Sequence, residues 1–124
     1  MGMDRTIRFS SEAVPGWPAI KAQLARVGET GELRMIDGMP AFPDEEPPAD
    51  WRELRVGTRA GMVSVRRGPD TLTCVVWGNA DDALSAAWAR AVWACAAAAG
   101  GVIVTASGNV SAEQFARESD IAPE

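Results

Sequence analysis

The chain of 124 residues has no histidine and no tyrosine, a single lysine and only two cysteines. Each absence removes a class of chemistry. Without histidine there is no His-dependent nucleophilic triad, no His-bearing zinc site and no imidazole pH switch, and without tyrosine there is no phenolic acid. Cys74 and Cys95 lack CxxC spacing and fall in apolar segments, so they read as two core thiols, which fits a reducing cytoplasm. The opening MGMDRTIRF has no apolar h-region, so no signal peptide is expected. The most apolar stretch, Ala91 to Val104, is too short for a bilayer and is interrupted by Gly100 and Gly101, so no membrane partner is expected either.

What is present fits one α+β domain spanning 1–124. The length suffices to bury about two thirds of the unfolded chain's surface, and 47% hydrophobic with 23% charged residues is ordinary for a globular chain. Eleven arginines against Lys21, together with an alanine excess, point to a GC-rich bacterial genome.

Apolar periodicity and turn residues divide the chain into elements. Arg5 to Ser10 alternates Ile7 and Phe9 with polar residues, a half-buried strand. Trp17, Ile20, Leu24 and Val27 recur at helical spacing between Pro18 and a stop at Gly28. Glu32 to Asp37 reads as a strand. Gly38 to Asp50 carries four prolines and four carboxylates and reads as an exposed loop. Arg52 to Val56, Met62 to Arg66 and Leu72 to Trp77, separated by glycine turns, predict an antiparallel meander. Asn79 to Asp82 supplies N-cap chemistry for a helix from Ala83 to Ala99, Val102 to Ala106 is a strand, and Ser111 with Gln114 opens a short last helix carrying Phe115. The order β-α-β-β-β-β-α-β-α predicts a mostly antiparallel sheet of five to six strands with helices packed on it.

Three features bear on function. The first is the helix from Ala83 to Ala99. Leu84, Trp88, Ala91, Val92, Cys95 and Ala99 form its core stripe, yet between Ala86 and Ala99 only Arg90 is polar, and Trp93 lies about 140° around the axis from Trp88. A helix apolar on nearly every side must be covered on nearly every side. The strand from Leu72 to Trp77 is likewise apolar on both faces, and in so small a domain a second chain can supply the missing cover. Arg90, Trp93 and Ala97 are the candidate interface.

The second feature is charge. Overall the chain carries −5, but residues 52 to 67 carry +4 and the remainder −9. Alternation sends Arg55 and Arg66 outward on neighbouring strands, where with Arg67 they can receive one anion, walled by Trp51 or Trp77. The competing expectation is that Asp44, Glu45, Glu46 and Asp50 fold back and neutralise these arginines. At a pI near 4.7 a nucleic-acid partner is not expected.

The third is a set of motifs that do not amount to catalysis. Asn79, Asp81 and Asp82 serve a helix cap before they serve a cation, no metal or cofactor site has its spacing, the Gly100-Gly101 pair follows a helix where a phosphate cradle must precede one, and Ser111 has no base. Of five tryptophans, Trp17, Trp77 and Trp88 are assigned to packing, and Trp51 and Trp93 to an interface or pocket mouth. The expectation is a small cytoplasmic, non-catalytic protein-interaction domain, pairing with itself or with another protein, as an adaptor, a chaperone-like protein or a toxin-neutralising protein would. The alternative is an anionic-ligand protein or enzyme with its site between the 52–77 meander and the 38–51 loop.

Overall fold

The computed structural model describes residues 2–10 and 13–124. In chain order its elements are β1 (Met3–Arg8), α1 (Trp17–Arg26), β2 (Glu32–Ile36), β3 (Met39–Pro40), β4 (Glu53–Thr58), β5 (Gly61–Arg67), β6 (Thr71–Val76), α2 (Asp82–Ala99), β7 (Val102–Thr105), β8 (Gly108–Val110) and α3 (Ala112–Glu118). The strands form one open sheet in the order β3-β2-β4-β5-β6-β1-β7-β8, and every pairing is antiparallel.

The sheet has eight strands where five to six were expected. Both additional strands are short edge pieces. β3 adds two residues to the proline loop through a hairpin turn at Asp37 and Gly38, whose φ values of 50° and 82° suit a tight two-residue connection. β8 begins at Gly108 and pairs back on β7. Neither is long enough to show alternation, so their strand character comes from the neighbour they hydrogen-bond. Asp37 also closes the other side of its hairpin, accepting from the backbone N–H groups of Arg52 and Glu53 at 2.7 and 2.9 Å.

The meander of β4, β5 and β6 is antiparallel, as expected. Leu54 lies opposite Val65, and Val56 opposite Val63, and all four are buried. With Ile7, Leu33, Leu72, Cys74, Val76 and Ile103 they make the inward face. Across this face runs α2, touching β5, β6, β1 and β7, while α1 and α3 pack on α2. Its ends are capped as the sequence requires: Asp81 accepts from the Leu84 N–H at 2.8 Å, and Gly100 adopts φ 65° at the C-terminus.

The all-round apolar surface of α2 is thereby explained within the chain. Trp88 turns to the sheet, its indole N–H donating to the Cys74 carbonyl at 3.0 Å. Trp93, on another side, lies under the Arg26 guanidinium of α1, 5.5 Å from its ring centroid. Phe115 and Ala116 of α3 are buried as well. Ala99, placed on the core stripe by periodicity, is exposed. Among the described residues no helix is long and apolar enough to cross a membrane.

Candidate functional site: the open face of the sheet

Among the described residues the helices lie on one side of the sheet, and the residues that alternate to the other side form an open face without a helix on it. The registers place its side chains in rows. One row runs Glu53, Arg66, Thr73, Thr6, Val104 and Asn109 across six strands. The next runs Met35, Arg55, Ser64, Val75 and Asp4. Beyond it, Glu32, Gly57 and Met62 are aligned, and Trp77 continues β6 at the same level.

Arg66 organises the middle of this face. Its Nε donates to Glu53 Oε2 at 2.8 Å, and its guanidinium carbon lies 5.1 Å from the Trp77 ring centroid. Between the rows of Arg66 and Trp77 lies the Ser64–Val75 pair, and both of those residues are buried on an otherwise open surface. A half-exposed ion pair of this kind contributes about 0.2–1 kcal/mol, and the stacking about 0.5–1 kcal/mol. Arg34 behaves similarly at a bulge between Leu33 and Met35: it pairs with Glu32 at 3.3 Å and lies flat over Gly57, where a Cβ would come within 2.7 Å of its Nε. Around these groups Trp77 is 59% exposed and Met62 45%, with Val102 at 37% toward the β7 side.

The candidate residues do not converge on one anion. Arg55 and Arg66 do point outward on adjacent strands, but they face Ser64 and Glu53 respectively. Arg67 alternates away from that face and stacks on Trp51, 5.5 Å from the ring centroid, with Nη1 donating to the Ala49 carbonyl. Two neighbouring arginines therefore serve two different tryptophans on opposite sides of the sheet. The acid that takes Arg66 is Glu53, and among the described residues Asp44, Glu45, Glu46 and Asp50 form no ion pair with the arginine segment.

Trp51 and Arg67 do line a cleft of about 570 Å³ between the end of the proline loop and the β5–β6 turn, with Asp50, Arg52, Gly68 and Pro69. Trp51 is only 1% exposed, and among the described residues its buried indole N–H finds no acceptor. Arg67 is half-buried and among the described residues forms no ion pair with a carboxylate.

The three interface candidates on α2 are occupied internally or set back. Arg90 pairs with Glu29 at 2.6 Å, and Glu29 is itself nearly buried. Trp93 is 4% exposed beneath Arg26. Ala97 is half-buried on the wall of a groove of about 840 Å³ between α2, α3 and the C-terminal residues. Trp77, assigned from sequence to packing, is the most exposed tryptophan. The signal lay in its own strand, because Thr71 and Thr73 share its face.

Four of the five tryptophans carry an arginine within 5.6 Å of a ring centroid: Trp88 with Arg5, Trp93 with Arg26, Trp77 with Arg66 and Trp51 with Arg67. Four of the eleven arginines thus cover indole faces, where a planar guanidinium can stack. Among the described residues no group of three or more acidic or cysteine side chains is placed to hold a metal ion. No protein-family model, curated protein or solved structure matches the chain.

Proposed function

We propose that the protein is a non-catalytic, cytoplasmic protein-interaction domain that pairs with a second copy of itself through the open face of the sheet. The observation that carries this reading is the uncovered face with Trp77 at 59% and Met62 at 45% exposure beside a buried, uncharged Ser64–Val75 centre. Aromatic, Met and Arg side chains around an uncharged centre are the composition of an interface rather than of ordinary surface. The face bears Arg8, Arg34, Arg55 and Arg66 as well as Asp4, Glu32 and Glu53. A surface of both signs can be its own complement under a two-fold rotation, whereas a surface of one sign cannot. At about 4.8 Å per strand the eight strands are about 34 Å across, which is of the scale for burying about 800 Å² per partner.

Sedimentation velocity at micromolar concentration tests this. The expected result is a dimer that Trp77→Asp, alone or with Met62→Asp, converts to a monomer with unchanged circular dichroism and a stability within about 0.5 kcal/mol, as for other exposed substitutions. A wild-type monomer across that range, or a dimer indifferent to both substitutions, overturns it.

A second reading has its own observation, the Trp51 N–H without an acceptor among the described residues beside an Arg67 that forms no ion pair there. Here the cleft takes a small carboxylate or phosphate, Arg67 and Arg52 supplying charge and Trp51 an apolar wall. Thermal-shift titration with inorganic phosphate and simple dicarboxylates should then stabilise the wild type and not Arg67→Ala. Equal shifts in the two proteins, or none, count against it.

A further inference from the structure

Cys74 is on β6, facing inward, and Cys95 is on the α2 turn that lies over it. Their Sγ atoms are 3.7 Å apart, and both residues are fully buried. The sequence separation of 21 gives no hint of this. It arises because β6 and α2 are consecutive elements that fold back on one another, and Trp88, hydrogen-bonded to the Cys74 carbonyl, fixes the height of the helix above the strand. No other sulfur or acceptor competes: among the described residues the only side-chain partner of either thiol is the other thiol.

We propose that Cys74 and Cys95 are an oxidation site, a thiol pair that closes into a disulfide joining β6 to α2 when a peroxide or a small disulfide is supplied. The sulfurs must approach from 3.7 Å to about 2.0 Å, a shift that rotation about two side-chain torsions and a small settling of the helix can provide. With hydrogen peroxide, one thiol attacks the O–O bond and becomes a sulfenic acid, releasing water. The second thiol then attacks that sulfur, the S–O bond breaks, and a second water leaves. Two thiols and one peroxide thus give one disulfide and two waters, the sulfurs losing the two electrons the peroxide gains. With oxidised glutathione the same two electrons pass by exchange, and two glutathione thiols are released. The hydrogen bond between Cys74 and Cys95, and then burial, hold the Cys74 thiol well above its ordinary range, so the thiolate is scarce in the closed fold and reaction follows local opening or refolding.

The test uses the full chain by two routes. The reduced, folded protein is exposed to hydrogen peroxide, and separately the reduced, unfolded protein is refolded with oxidised glutathione, which makes the outcome independent of access to the core. The expected product of each is a chain lighter by two hydrogen atoms in intact mass, reversed by dithiothreitol, abolished by Cys95→Ala, and melting several degrees higher because the cross-link restricts the unfolded chain. Two free thiols after refolding, disulfides between chains only, or sulfinic acids on each cysteine in place of a bridge overturn the proposal. None of these outcomes depends on whether the sheet face pairs two chains.

Discussion

Replacing Trp88 with alanine lowers the free energy of unfolding by about 3–5 kcal/mol, the range for deleting a large aromatic from a close-packed core. The indole is 9% exposed and sits where α2 crosses β6. Three contributions are lost together: the apolar contacts of the ring with the inward sheet face, the hydrogen bond from its N–H to the Cys74 carbonyl, and the stacking surface for Arg5, whose guanidinium carbon is 5.6 Å from the ring centroid. The last matters because Arg5 Nε is a buried donor without a hydrogen-bond partner among the described residues, and the indole face lies against that charge. Urea denaturation checks the value, with a lower midpoint and an unchanged slope. Trp88→Phe separates the contributions: it keeps an aromatic face and removes the N–H, and should cost about 1–2 kcal/mol, near the value of one buried hydrogen bond. Equal losses for alanine and phenylalanine would contradict this assignment.

The second large effect is expected at Gly101, just beyond α2. A Cβ built there comes within 2.6 Å of Phe9 Cε1 and 2.7 Å of Ile7 Cγ2, and both residues are in the core. Neither can move without disturbing β1, which is hydrogen-bonded on both sides, to β6 and β7. Gly101→Val should therefore destabilise by about 3 kcal/mol, the upper part of the usual overpacking range. Its neighbour Gly100 has φ 65° with open space around its Cβ position. Gly100→Ala meets only the left-handed backbone cost of about 1–2 kcal/mol. Adjacent glycines thus respond for different reasons, one steric and one conformational. Paired thermal melts of the two variants measure the difference, and the reverse order would mean that the helix end and not the Phe9–Ile7 wall limits the site.

Much of this architecture is legible in single residues. Asp81 before an apolar run, Gly28 and Gly100 after one, and the alternation of Leu54, Val56, Val63 and Val65 each depend on interactions within a few positions along the chain, so caps, stops and strand faces can be read directly. The short strands β3 and β8 cannot, because two or three residues establish no period and take their conformation from a neighbour. Trp77 lies between these cases: its face follows from alternation, but its exposure does not, since that depends on whether anything packs against the face.

The arginine segment shows the same division. Its local charge of +4 and the outward direction of Arg55 and Arg66 are sequence properties. Which partner each arginine meets is not, because Glu53 and Trp77 reach Arg66 through strand register, and Trp51 reaches Arg67 through the path of the proline loop. By itself the sequence determined an α+β chain without imidazole or phenol chemistry, a helix that has to be covered on nearly every side, and the positions of its caps and turns. Only the tertiary structure decided that α1 and α3 supply that cover, that one face of the sheet is left open, and that two cysteines 21 residues apart meet. Local hydrogen bonding and periodicity act over one or two turns of chain, whereas cover, register and sulfur–sulfur proximity are set by which elements the whole core brings side by side.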